Sequence, residues 1–306
     1  LSEVALYEID MEMAREFPGI SRRAMLRDVR DRNRLDRAFD QERPEIVFHA
    51  AALKHVPLAE SNPNECVLTN VGGTMNVADA CGRAGVSSMV LISTDKAVNP
   101  SSVMGATKRI AELYVQSLGQ TGKGTRFATV RFGNVLGSTG SVVPLFQKQL
   151  ATGGPLTVTH ADMTRFMMTV REAVELVLQA SALEGSSGSL FVLEMGEPVR
   201  IQDLARQMIR LAGKVPDDEI AVVFTGMRPG EKMHEELIYD DETLAGTARE
   251  GINVASGRVV VPDDVTALLG ALVDYARAGE AEATPGLIRS IVPEFHAPGD
   301  NAETGR

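Results

Sequence analysis

Thr94, Asp95 and Lys96 stand in direct succession at the end of the apolar run Met89-Val90-Leu91-Ile92-Ser93. A hydroxyl, a carboxyl and an amine where a buried strand meets a crevice supply a candidate acid and base couple within reach of one substrate. On a solvated turn the same Asp-Lys pair is an ordinary surface ion pair, so its place in the fold decides between the two readings. Met104 and Lys108 lie four residues apart, a spacing that sets thioether and ammonium on one helix face, and the thioether has no proton to exchange. Ala50, Ala51, Ala52, Gly72 and Gly73 gather where strands give way to helices, the places where backbone must come close to a ligand or to other backbone.

The elements that must position these groups read as an α/β chain with a doubly wound parallel sheet. Glu45 to Ala51, Met89 to Ser93 and Phe127 to Phe132 are apolar runs too continuous for half-exposed strands and predict buried parallel ones. Between them, Glu65 to Arg83, following Pro63, and Met104 to Leu118, with Ile110, Leu113, Tyr114 and Leu118 at helical spacings, predict crossover helices. The crevice at the strand C-termini is the expected site. After about residue 140, Gly153-Gly154-Pro155, Gly185-Ser186-Ser187-Gly188 and Arg228-Pro229-Gly230 punctuate shorter elements. Strands over Leu190 to Leu193 and Ile220 to Phe224 and helices over Ile201 to Leu211 and Asp264 to Ala276 are predicted there.

No strand followed by G-x-G-x-x-G occurs, although a dinucleotide fold uses that turn to hold pyrophosphate. The chain opens instead in a predicted helix, Val4 to Phe17, with Leu6, Ile9, Met13 and Phe17 on one face, like a second crossover whose preceding strands lie upstream. The expected organisation is a partial dinucleotide-binding domain over 1–140, lacking the glycine-rich first βαβ unit, a substrate-binding lobe over 141–278 and a loose tail over 279–306.

Composition narrows the partners. With 44% hydrophobic and 24% charged residues among 306, the chain can bury a sizeable core. A formal net charge of -10 repels a polyanion, so nucleic acid is not expected as a partner and an anionic ligand needs a local arginine cluster. No run is long enough to span a bilayer and the start has no export pattern, so a cytoplasmic location is expected. Cys66 and Cys81 form neither a disulfide framework nor a metal-ligand cluster, so no metal is expected.

The order of several blocks carries a resemblance. These are His49-Ala50-Ala51-Ala52-Leu53-Lys54-His55-Val56-Pro57, Thr69-Asn70-Val71-Gly72-Gly73-Thr74, Ser93 to Pro100, Val103 to Arg109, Arg131 to Ser138 and Arg228-Pro229-Gly230-Glu231-Lys232. Over roughly residues 1–260 the chain resembles the UDP-N-acetylglucosamine 4,6-dehydratase and capsular polysaccharide biosynthesis family, within the extended short-chain dehydrogenase/reductases. The resemblance implies NADP or NAD as cofactor, a UDP-sugar as substrate, a homo-oligomer, and a longer parent that in one branch is membrane-anchored. The implied reaction takes hydride from C4 of the sugar, eliminates the C6 hydroxyl across C5, and returns hydride to C6.

By that resemblance Asp95 is the acid and Lys96 the base, which requires Lys96 to shed its proton near neutral pH through desolvation and nearby cations while Asp95 stays protonated. Thr94 is the hydroxyl at O4. Met104 occupies the position of the usual tyrosine, as in the long branch, and Lys108 holds the nicotinamide ribose. Asp28 and Val29 resemble an adenine-contacting pair, with Arg27 in place of the usual glycine. His49, Ala50, Ala51 and Ala52 resemble the wall beside the cofactor, and Asn70 the asparagine that steadies the site. Lys54, Asn134, Ser141 and Val142 resemble sugar-pocket positions, and Arg165, Arg228 and Glu231 a uridine-diphosphate clamp whose guanidinium forks suit diphosphate oxygens. The alternatives are a nucleotide-sugar 4-epimerase, which needs the tyrosine, and a catalytically silent fragment acting as an assembly partner.

Overall fold

The computed structural model describes residues 2–122, 124–183, 187–257 and 264–297. Its centre is a six-stranded sheet. Ile46–His49, Ser88–Ile92, Arg126–Arg131 and Ser189–Leu193 run parallel in that order, and Ile252–Ser256 and Thr243–Gly246 extend the sheet antiparallel. The apolar runs are continuous because both faces are covered. Met89, Leu91 and Phe127 enter a core with Ile110, Leu113, Val273 and Ile288, whereas Val90, Ala128 and Val130 enter another with Val177 and Phe191. The expected doubly wound architecture is present.

The expected helix over Glu65 to Arg83 forms as Pro63–Cys66 and Gly73–Ala84 joined by a π-helical stretch, Val67–Gly72. Gly73 is required there, because a Cβ would lie 2.6 Å from Cγ2 of Val29. Helix Val103–Gln120 starts at Ser102, whose hydroxyl accepts from the Gly105 N–H at 3.1 Å, and nearly all of it is buried against the strand Arg126–Arg131 and its neighbours.

Two expectations are corrected. The division near residue 140 does not describe the sheet, since Ser189–Leu193, Thr243–Gly246 and Ile252–Ser256 return to it from the stretch expected as a separate lobe. What does stand apart is a smaller core of Phe146, Leu156, Val158, Ile201, Ile209 and Ile220, around the parallel pair Leu156–Val158 and Val222–Phe224. The expected loose tail is packed over its described part: helix Thr284–Ile291 places Ile288 and Ile291 in the main core, followed by Val292 and Phe295. Apolar residues at helical spacing outweigh the Gly- and Pro-rich flanks there. The rest of the expected tail, 298–306, lies outside the described residues. The first helix, Glu3–Glu16, buries none of its residues.

Candidate active site

The segment Thr94–Lys96 continues the sheet beyond its last strand residue. Ser93 N–H donates to Val130 O at 2.8 Å and Asp95 N–H to Phe132 O at 3.0 Å, after which Asp95–Ala97 closes a single 3-10 turn. Two glycines let this turn sit where it does. A Cβ on Gly105 would strike the carbonyl oxygen of Lys96, and a Cβ on Gly133 would lie 3.1 Å from Asp95 Oδ2 and 2.8 Å from Cβ of Phe166.

Asp95 is fully buried. Its Oδ1 accepts from Thr94 Oγ1 and from Lys96 Nζ, both at 2.9 Å, and its Oδ2 is buried with no hydrogen-bond partner. Lys96 Nζ also donates to Asn134 Oδ1 at 3.1 Å and stands 3.5 Å from Glu235 Oε1. The Asp95-Lys96 pair is therefore not a solvated surface pair. Burial works against the Lys96 charge, but the carboxylates of Asp95 and Glu235 outweigh it and hold the amine above the ordinary lysine value. This corrects the expectation that desolvation leaves Lys96 neutral, because the surrounding charge is mainly anionic.

Lys108 has the opposite balance. Its Nζ donates to Ile92 O at 2.6 Å, and burial lowers it to about 8, with Glu112 and Cys66 acting in the other sense. Met104, one turn earlier, is 3% exposed and packs in the main core. Behind the strand end, Ser93 Oγ donates to Glu112 Oε1 at 2.6 Å, and Arg131 forks onto Glu112 at 3.1 and 2.8 Å. Arg131 also reaches Glu242 at 2.9 Å, and Arg109 lies over the Tyr239 ring at 4.7 Å. Tyr239 donates to Ala97 O at 2.8 Å, tying this ionic layer to the turn Asp95–Ala97.

Two adjoining cavities meet at the turn. One, of about 240 Å³, has Arg165, Arg228, Glu231 and Lys232 at one end and Val142 and Leu145 on its wall. The other, of about 330 Å³, has Ile92, Thr94, Met104, Lys108 and Phe132 on its wall together with Ala50 and Ala52. Lys54, His55, Lys96, Asn134, Gly140 and Ser141 border both. Ser141 Oγ is buried on this shared wall with no hydrogen-bond partner, which marks the junction as a place for a polar ligand atom. An apolar stretch of wall with Lys108 beside it, in the second cavity, fits a planar nicotinamide and its ribose, so the residues present suit the implied cofactor. Arg165 is held by donating to Thr164 O at 2.7 Å and Lys232 O at 2.9 Å, with the carboxylates of Glu231 and Glu235 3.8 and 3.7 Å away.

Of the residues singled out from sequence, Lys54, Thr94, Lys96, Asn134, Ser141, Val142, Arg165, Arg228 and Glu231 converge on these cavities with Ala50, Ala52, Met104 and Lys108. Asp28, Val29, His49, Ala51, Asn70 and Asp95 line neither. Asp28 is drawn down to about 2 by hydrogen bonds from Arg30, against some burial. His49 is buried, meets Thr74 Oγ1 at 3.0 Å, and is pushed down to about 3 by burial and the Lys108 charge. Asn70 acts from behind by bonding the backbone of Leu53 and Thr107 Oγ1. Sequence reading missed Glu235 and His55. Glu235 sits four residues beyond Glu231 in an acidic stretch that reads as solvated, and only burial distinguishes it.

A parallel sheet whose strand ends open on two adjoining cavities, with ionisable side chains between them, is a doubly wound α/β fold of the Rossmann type. Residues 1–256 match the family described as polysaccharide biosynthesis protein, and the chain belongs to it. It is 52% identical over 241 residues to the capsular polysaccharide biosynthesis protein CapD of Staphylococcus aureus, an alignment covering 78% of this chain and 40% of that protein. This chain thus spans less than half the length of that relative. It is 39% identical over 250 residues to a UDP-N-acetylglucosamine 4,6-dehydratase (inverting) of Campylobacter jejuni, with 79% of this chain and 71% of that protein covered. Among solved structures it resembles Pen from Bacillus thuringiensis, at 32% identity and TM-score 0.76, over 89% of this chain and 87% of that one. Among the described residues no helix is long and apolar enough to cross a membrane.

Proposed function

We propose that this chain carries the catalytic centre of a UDP-N-acetylglucosamine 4,6-dehydratase that uses NAD or NADP in surface polysaccharide synthesis. The observation that carries this reading is the place of Lys96, on the wall common to both cavities and 2.9 Å from a buried Asp95. Elimination needs an acid and a base beside the same sugar carbons, and a proton passing along that bond converts the ion pair into a neutral amine and a carboxylic acid without changing the net charge. Lys96 then removes the C5 proton and Asp95 protonates the departing C6 hydroxyl. Thr94 hydrogen-bonds O4, with Lys108 or Lys96 to relay its proton. The cofactor supplies a hydride acceptor that is restored at the end of each cycle.

Arg165 and Arg228 hold the diphosphate, while Lys54, Asn134, Ser141 and Val142 border the sugar. An epimerase has no use for an elimination couple, and Met104 offers no phenol to deprotonate O4. Incubation of the full-length protein with UDP-N-acetylglucosamine and NAD or NADP tests the proposal. A 4-keto-6-deoxy product supports it, and a C4 epimer retaining its C6 hydroxyl rejects it.

A further inference from the structure

We propose that Lys232 is a positioning residue that sets the Asp95-Lys96 pair at a fixed place relative to the diphosphate, a role that rests on the dehydratase reading above. The two ends of Lys232 hold different halves of the site. Its backbone carbonyl accepts from Arg165 Nη2 at 2.9 Å, and its side-chain Nζ donates to Val98 O at 2.8 Å. Val98 closes the turn Asp95–Ala97, donating its own N–H to Asp95 O at 3.1 Å. One residue thus links the guanidinium assigned to the diphosphate with the turn assigned to the elimination. Val98 is fully buried, so its carbonyl depends on that donor.

The amine is committed to this link. It stands 3.2 Å from Glu236 Oε2, which meets its charge, and the Lys232 side chain is 15% exposed. The same Oε2 accepts from Asn99 Nδ2 at 3.1 Å. Asn99 has φ 38°, a left-handed conformation that a non-glycine residue keeps when its surroundings hold it there. Ser101 Oγ donates to Gly230 O at 3.1 Å, and Gly230 comes so close to the helix start that a Cβ would lie 3.0 Å from Cβ of Ser102. Residues 98–102 are therefore fastened to 230–236 at several points, and the Lys232 bond falls on the residue that ends the turn. Proton transfer at a sugar carbon tolerates little misplacement of its acid and base, and about 1 Å can cost roughly a hundredfold in rate. Lys232 removes that freedom by tying the turn to the backbone on which Arg165 is held.

The test uses the full-length protein with Lys232→Met, which keeps the stem and loses the donor, and Lys232→Arg, which keeps a donor for Val98 O. Calorimetry with UDP reads the diphosphate site, and kcat for the 4-keto-6-deoxy product at saturating UDP-N-acetylglucosamine reads the turn. In Lys232→Met the Kd for UDP should stay within about threefold of wild type. Its kcat should fall by about ten- to a hundredfold, and Lys232→Arg should recover most of that loss. A Kd raised about tenfold or more in Lys232→Met, with or without loss of kcat, overturns the proposal in favour of a direct phosphate contact or a structural role. Unchanged kcat, or a loss that Lys232→Arg does not recover, overturns it as well. A wild type that binds UDP and makes no such product overturns the dehydratase reading, and this role with it.

Discussion

The side-chain amide of Asn70 takes both backbone groups of Leu53, accepting from its N–H at 2.8 Å and donating to its carbonyl at 3.0 Å. Asn70 touches neither cavity, yet it fixes the loop that carries Ala52, Lys54 and His55 to their common wall. Asn70→Ala should therefore cost about 1–3 kcal/mol of stability through the stranded backbone groups. A misplaced wall should also lower kcat/KM by up to about a hundredfold. Denaturant titration and steady-state kinetics on the same variant check both effects.

Met104 packs in the core and also forms part of the second cavity wall, so its volume matters and its sulfur does no chemistry in this account. Met104→Leu should cost less than about 1.5 kcal/mol and leave turnover nearly unchanged. If Thr94 with a lysine serves O4, as proposed, Met104→Tyr should not accelerate the reaction. Turnover measured on the two variants decides, and a faster tyrosine variant contradicts the role given to Thr94.

His49 makes the fold acid-sensitive. Its folded value lies near 3, below the ordinary 6.5 of histidine, because burial and the Lys108 charge disfavour the imidazolium. Between those values the unfolded chain binds more protons than the folded one, so stability falls as pH drops through the window. His49→Gln, which keeps a partner for Thr74, should lose part of that slope. Unfolding free energies from about pH 7 to 4 should differ between the two proteins by a few kcal/mol more at the acid end.

Glu112 and Arg131 are both fully buried and joined at 2.8 Å. Removing one partner leaves the other as an uncompensated charge, so Arg131→Met should destabilise by about 3–5 kcal/mol. Because Ser93 also depends on Glu112, the strand end beside Thr94 should loosen. Hydrogen exchange at residues 93–97 is the local measurement, with protection lost there beyond the global change.

The sheet was legible where physics leaves a strong mark. The strand Ser88–Ile92 is apolar from Met89 on because helices cover both faces, and helix Val103–Gln120 announces itself by Ile110, Leu113 and Tyr114 at helical spacing. The two-residue strands Asn134–Val135 and Met167–Met168 are too short to show any period. Helix Thr284–Ile291 was hidden by its Gly, Pro and acidic setting, although Ile288 and Phe295 belong to the core. At the site, the types and order of Thr94, Asp95 and Lys96 pointed to acid-base chemistry. The charge state of Lys96 was not legible, because it depends on Glu235, 139 positions later in the chain and 3.5 Å away in space.

The central claim is that Asp95 and Lys96 perform an elimination between two hydride transfers on one sugar. Following deuterium from C4 of UDP-N-acetylglucosamine in the full-length protein tests it most directly. The label should appear at C6 of a 4-keto-6-deoxy product without accumulation of reduced cofactor. In Lys96→Ala and Asp95→Asn formation of that product should fall by roughly two to four orders of magnitude. Label retained at C4 of an epimer with an intact C6 hydroxyl, or captured in accumulating reduced cofactor, would contradict the account.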